Sequence, residues 1–205
     1  MARHGVRNSH EPPAALIARG GVIAFRTDTL YGLGVDPFNR EAVRKIKQLK
    51  GREDNKPILI VISDYDQLAR FVDEVSPAFQ RLAKQFWPGA LTLIGKAHAG
   101  VPEEITAGTN TIGVRLPNDD RVRALARSCG GALTATSANP SDAAPARTAR
   151  EVLDYFGDLI DLIIDDGDAR TVLPSTVVDV SESEPKLVRE GVIAWTELKN
   201  LISPR

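Results

Sequence analysis

The chain has 205 residues, 42% hydrophobic and 26% charged, a globular composition large enough to bury a core without disulfides or structural metal. Lys and Arg number 26 against 27 for Asp and Glu, so the formal net charge is -1 and the basic excess of a dedicated nucleic-acid binder is missing. The single cysteine excludes an intramolecular disulfide, the three histidines lack zinc-site spacing, and no apolar run approaches the ~20 residues of a membrane span. An N-terminus without an apolar stretch lacks the mark of a signal peptide. The expectation is a reduced, soluble, cytoplasmic protein with one domain over residues 1–205 and a core over about 13–194.

In chain order, a helix is expected over residues 13–19 and a strand over 21–25. Arg26-Thr27-Asp28-Thr29-Leu30-Tyr31-Gly32-Leu33-Gly34 follows directly. Hydroxyls and glycines at a strand's carboxyl end suit small-ligand capture in an α/β crevice, although a polar turn has the same composition. A helix over 40–49 follows, with Val43, Ile46 and Leu49 as its apolar stripe and Asn39 as N-cap. Arg40, Arg44 and Lys47 occupy another face. Lys50-Gly51-Arg52 comes next, where a mobile ammonium and a bidentate guanidinium can converge on one anion. A solvated basic helix end is the plainer reading of the same residues.

Strands are expected over 58–62, 90–94, 111–115 and 132–136, with helices over 77–86 and 120–128. Cys129 closes the latter as a bland helix-end thiol. Thr136-Ser137-Ala138-Asn139-Pro140-Ser141 presents short hydroxyl and amide side chains, suited to phosphates but also common in turns. A helix over 148–156, strands over 162–164, 176–180 and 186–189, and a helix over 196–201 complete the chain. The last two strands read as a hairpin carrying Ser175 at one end and Arg189 at the other. Interleaved strands and helices predict an α/β fold, a twisted open mixed sheet flanked by helices.

Common nucleotide signatures fail. From Gly89 to Gly95-Lys96-Ala97 the spacing is one residue too long for a phosphate-binding loop, and no hydroxyl follows the lysine. Gly32-Leu33-Gly34 lacks the third glycine of a dinucleotide fingerprint, and Pro37 stands where its helix would open. No Ser/His/Asp set, carboxylate pair or metal cluster stands out, so catalysis would rest on positioning and charge stabilisation.

In order, these segments resemble the YrdC-like family of threonylcarbamoyl-AMP synthases. Thr-Asp-Thr-Leu-Tyr-Gly-Leu-Gly is similar to its opening signature, and Lys50-Gly51-Arg52 and Ser137-Ala138-Asn139 to its Lys-x-Arg and Ser-x-Asn motifs. Trp87-Pro88-Gly89-Ala90-Leu91-Thr92-Leu93, Gly113-Val114-Arg115-Leu116-Pro117 and Ser175-Thr176-Val177-Val178-Asp179 resemble three further blocks, together spanning nearly the whole chain. Arg26, Asp142, Val172-Leu173-Pro174 and Glu190 depart from the pattern. The chain resembles the short form without an additional C-terminal domain.

The resemblance implies a synthase joining L-threonine, bicarbonate or CO2, and ATP, with release of pyrophosphate, and a downstream transferase carrying the group to tRNA. It implies Thr27, Ser175 and Arg115 at threonine, Lys50 and Arg52 as the catalytic cations on the triphosphate and carbamate, and Ser137, Asn139 and Arg189 at the nucleotide. Mg2+ would accompany ATP, held by phosphate oxygens and water rather than a protein cage. tRNA itself would touch the protein weakly or transiently. Two rivals remain: a non-catalytic double-stranded RNA or tRNA-binding module using Arg40, Arg44, Lys47, Lys50 and Arg52, and a carbamoyl-adenylate-using maturation module indifferent to threonine.

Overall fold

The computed structural model describes residues 11–51 and 56–202. Its first half runs α1 (Pro13–Ala18), β1 (Ile23–Arg26), β2 (Tyr31–Gly34), α2 (Arg40–Lys50), β3 (Ile60–Ile62), α3 (Pro77–Phe86), β4 (Leu91–Lys96), α4 (Glu103–Thr106) and β5 (Thr111–Arg115). There follow α5 (Asp120–Ser128), β6 (Ala132–Thr134), β7 (Thr136–Ser137), α6 (Ala149–Phe156), β8 (Leu162–Ile164), β9 (Thr176–Asp179), β10 (Lys186–Arg189) and α7 (Trp195–Ile202). The α/β class and mixed strand pairing agree with the sequence.

The strands form two sheets, not the one open sheet expected: a four-stranded sheet β7-β2-β1-β8 and a six-stranded sheet β10-β9-β4-β5-β3-β6. The division falls inside the strand expected over 132–136. Thr134 pairs with Ile60 in the larger sheet, whereas Thr136 pairs with Leu33 in the smaller one. Between them the Ala135 N–H donates to the Leu59 carbonyl at 2.8 Å. One continuous segment therefore belongs to both sheets and fixes their edges against each other. The Thr134 hydroxyl reinforces the junction, accepting from the Val35 N–H at 3.0 Å.

β1 shows how the core is divided. Side chains alternate across a strand, so Val22 and Ala24 enter the main core while Ile23 and Phe25 enter a second cluster with Leu16, Ile17 and Val122. α1 and α5 cover that second face. α2 begins on its expected cap, the Asn39 side chain accepting from the Ala42 N–H, and ends at Gly51 with φ 57°. Such a left-handed turn suits glycine, and it delivers Lys50 to the interior.

The unexpected strand β2 is built around its glycines. A Cβ on Gly34 would lie 2.7 Å from Phe25 Cε1, so the β1–β2 pairing tolerates no side chain there. Among the described residues, no helix is long and apolar enough to cross a membrane.

Candidate functional site

An open cleft lies where the β1–β2 turn, the β7 end of the smaller sheet and the β4–β5–β9 face of the larger sheet meet. Concave sites lined by apolar walls and a few convergent polar groups are where small-molecule ligands bind. Thr27, Arg115, Ser137, Ser175 and Arg189 all line it, so five positions named from the sequence are brought together from distant parts of the chain.

The cleft floor carries an ordered row of side chains. One step along the antiparallel register from Leu93↔Val114, Arg115 on β5 comes beside Thr92 on β4. The Thr92 hydroxyl lies 2.9 Å from the Ser175 hydroxyl, at the start of β9. Arg189 on β10 then donates through Nη2 to the Ser175 hydroxyl at 3.2 Å and carbonyl at 3.0 Å. Two guanidiniums thus flank two hydroxyls across four adjacent strands. Both hydroxyls are almost fully buried, whereas Arg189 sits at the exposed rim.

Each member is held from behind. Arg115 Nε donates to the Gly89 carbonyl at 3.0 Å and Nη1 to the Thr29 hydroxyl at 3.0 Å, while Nη2 meets the Asp28 carboxylate. Asp28 in turn accepts from the Asn118 N–H at 3.0 Å. The Thr27 hydroxyl donates to the Leu30 carbonyl at 2.8 Å, closing the β1–β2 turn. The buried Thr176 hydroxyl donates to the Ile193 carbonyl at 2.6 Å and accepts from the Gly191 N–H at 3.0 Å, which fixes the return after Arg189. At the smaller sheet's end, the Tyr31 hydroxyl donates to the Gly167 carbonyl at 2.7 Å. Burial first, and the nearby Asp165 charge second, hold this phenol above its ordinary pKa, so it acts as a neutral donor.

Lys50 and Asn139 stand behind the lining. The buried Lys50 ammonium donates to the carbonyls of Ser137 and Asn139 and lies 3.4 Å from Asn139 Oδ1. The Asn139 amide donates to the carbonyls of Pro140 at 2.7 Å and Ala143 at 2.8 Å. Here these two side chains shape the loop that presents Ser137. Arg52 lies outside the described residues. Thr29 and Tyr31 belong to the segment marked for ligand capture and Thr92 to one of the resembling blocks, but none of the three was given a role of its own; their place in the cleft distinguishes them.

The departures from the family pattern find local partners. Arg26 lies 3.5 Å from the buried Asp119 carboxylate, whose other oxygen caps α5 by accepting from the Arg121 N–H at 3.0 Å. Asp142 adopts φ 68°, the conformation for which glycine is ordinarily chosen and which Asp tolerates better than most residues. The Pro174 carbonyl accepts from the Val192 N–H at 3.0 Å, and the Glu190 carboxylate accepts from the Trp195 N–H at 2.7 Å, at the start of α7.

The basic residues of α2 do not form one free stripe. Lys47 and Lys50 are buried, and Arg40 and Arg44 both pair with Glu104. That carboxyl is held below its ordinary pKa, chiefly by its own backbone N–H and further by the two arginines. Cys129 sits at the C-terminal end of α5, where burial pushes its thiol pKa up, a setting that disfavours the reactive thiolate. Among the described residues, no group of three His, Cys, Asp or Glu side chains is placed to hold a metal ion.

A model of the Sua5/YciO/YrdC family, described as "Telomere recombination", matches residues 15–191. The chain is similar to a threonylcarbamoyl-AMP synthase of Pyrococcus abyssi (strain GE5 / Orsay), 36% identical over 189 residues, 92% of this chain and 56% of that protein. It thus spans little more than half of that relative's length. It is also similar to a threonylcarbamoyl-AMP synthase of Thiobacillus denitrificans, 38% identical over 167 residues, 82% of this chain and 88% of the relative. Among solved structures, P. abyssi Sua5 complexed with L-threonine matches with a TM-score of 0.89 at 36% identity, covering 92% of this chain and 56% of the other.

Proposed function

Because the chain belongs to the Sua5/YciO/YrdC family, we propose that it is a threonylcarbamoyl-AMP synthase, a nucleotidyltransferase supplying the activated intermediate for tRNA threonylcarbamoyladenosine formation in the cytoplasm. The observation that carries the reading is the convergence of Thr27, Arg115, Ser137, Ser175 and Arg189 on one cleft. The likeness to a protein solved with L-threonine supports the same substrate class.

In this reading threonine lies over the floor, its carboxylate near Arg115 and Ser175 and its polar atoms within reach of Thr27. The threonine nitrogen bonds to the carbon of CO2, formed from bicarbonate by loss of hydroxide, and the proton lost from nitrogen leaves with that hydroxide as water, giving the carbamate. A carbamate oxygen then attacks the α-phosphorus of ATP, and the bond to the bridging oxygen breaks, releasing pyrophosphate. Negative charge builds up on the transferring phosphoryl group and the leaving pyrophosphate, so fixed cations and donors are the main protein contribution.

Arg189 at the rim and Ser137 at the end of the smaller sheet are assigned to the nucleotide. Lys50 acts there through the loop it holds, and with Arg52 supplies positive potential near the phosphates. Asn139 supports the same loop. Mg2+ is assigned to the ATP phosphates, because the described side chains supply no group of three His, Cys, Asp or Glu ligands for it. The product, a mixed anhydride, calls for a downstream transferase that delivers the threonylcarbamoyl group to tRNA.

Pyrophosphate release from ATP, bicarbonate and magnesium, measured with and without L-threonine, tests the reading. Threonine-dependent release with a threonylcarbamoyl-adenylate mass in the quenched mixture supports it. Release that ignores threonine, or none from folded protein, overturns it and favours the carbamoyl-adenylate or binding-module alternatives.

A further inference from the structure

We propose that Thr92 is a positioning residue that sets the Ser175 hydroxyl as a hydrogen-bond donor aimed at the carboxylate of the amino-acid substrate. The inference rests on the threonine-binding reading above and adds a polarity to one corner of that site.

The Thr92 hydroxyl is 1% exposed, and its hydrogen bond among the described residues is the one to Ser175 Oγ at 2.9 Å. Ser175, 4% exposed, also faces Arg189 Nη2 at 3.2 Å. A guanidinium only donates, so one lone pair of Ser175 Oγ is already engaged. Two proton arrangements then remain between the threonine and the serine. If Ser175 donated to Thr92, the Thr92 O–H would be a deeply buried donor with no acceptor, the costlier state. If Thr92 donates, Ser175 Oγ accepts twice and its own proton is turned into the cleft. Arg189 also fixes the backbone from which this serine projects, because Nε and Nη2 hold the Ser175 carbonyl at 3.2 and 3.0 Å.

An O–H donor turned into the cleft, with the Arg189 guanidinium at its side, defines a corner for an acceptor. A carboxylate fits it, whereas an ammonium group would meet only further donors. Thr92 thereby orients the amino acid with its carboxylate toward β4–β5 and its nitrogen away from them, toward the reacting phosphate.

The test is isothermal titration of L-threonine into the wild type, Thr92→Val, Thr92→Ser, Ser175→Ala and the Thr92→Val/Ser175→Ala double variant, each with a thermal melt. Thr92→Val keeps the shape and is expected to weaken binding about tenfold, the effect of one oriented hydrogen bond to a charged acceptor. Thr92→Ser, which retains the hydroxyl, is expected to restore wild-type affinity. In the Ser175→Ala background, Thr92→Val is expected to add nothing. Wild-type affinity in Thr92→Val, or an equal loss with and without Ser175, would sink the proposal while leaving the threonine reading intact. Should Thr92→Val fail to fold, Thr92→Cys, with a weaker donor, reads the same step. Absence of threonine binding by the wild type removes the parent reading and this one together, a result distinct from binding that ignores Thr92.

Discussion

Arg115, which lines the cleft, forms an ion pair with Asp28, their side chains 7% and 8% exposed. The pair joins β5 to the turn after β1 and lowers the charge that Arg115 brings to the floor. Removing one partner of a buried pair strands the other, which costs roughly 3–5 kcal/mol, more than removing both. Asp28→Ala and Arg115→Ala are each expected to destabilise by about 3 kcal/mol, and the double variant by clearly less than the sum. Urea unfolding of the four proteins measures this; simple additivity would show that the pair is not coupled.

Lys50→Ala withdraws a buried ammonium from the carbonyls of Ser137 and Asn139. Threonine-dependent pyrophosphate release is expected to fall by about one to two decades. Lys50→Arg is not expected to recover it, because a planar fork cannot occupy the position of a compact ammonium. Unchanged turnover in Lys50→Ala would rule out a role for this cation, and full turnover in Lys50→Arg would show that its charge suffices without its shape.

Gly191 faces the backbone of the site. A Cβ there would lie 2.2 Å from the Pro174 carbonyl oxygen and 2.6 Å from the Ser175 carbonyl carbon. Gly191→Ala must therefore displace Ser175, with an overpacking cost of roughly 1–3 kcal/mol and loss of threonine affinity. Calorimetric titration beside a melt checks both; intact affinity would mean that the cleft tolerates movement of Ser175.

Acid stability depends in part on Asp161. Burial alone would raise its pKa, but the Val22 N–H at 2.8 Å and the Lys45 ammonium at 3.3 Å outweigh it, and the pKa is lowered. A depressed carboxylate stabilises the fold above its unfolded pKa of about 3.9, and that contribution is lost as pH falls through the folded value. Asp161→Asn is expected to cost roughly 1 kcal/mol at pH 7, discounted for partial exposure, a melting shift of about 2–4 °C. The deficit should begin to shrink below about pH 4 and vanish only below the lowered folded-state pKa; a constant deficit across pH would exclude the ionic contribution.

How much of this was legible in the sequence differs between elements for physical reasons. α2 was, because Val43, Ile46 and Asn39 signal locally, and the helix begins where its cap predicts. β2 was not, since a four-residue strand with glycines at 32 and 34 carries no strand propensity of its own. It exists through pairing with β1 and the close approach of Phe25. The division into two sheets was equally hidden. It depends on which neighbour Ala135 meets, and hydrophobic alternation within one strand does not encode that.

Within the site, Thr27, Arg115, Ser137, Ser175 and Arg189 could be named because they belong to ordered motifs, and the fold collects them. The proton direction at Ser175 could not, because it follows from three side chains on separate strands. Asn139 was assigned to the nucleotide, yet its amide here is occupied by the carbonyls of its own loop.

Strand order also constrains how the protein is made. β1 waits for its parallel neighbour β8, with Ile23 against Leu162, and β4 waits for β9, with Leu91 against Thr176. Synthesis proceeds from the N-terminus, so both inner strands leave the ribosome with an open flank. Such flanks template pairing with other chains, and parallel pairings over this sequence distance close slowly. A chain halted at residue 160 is expected to scatter light as aggregate and to bind no threonine, while the 205-residue chain stays dispersed. Assembly of the cleft and sealing of the sheet edges thereby both wait for the segment from β8 to β10, so errors in that segment reach solubility and activity together.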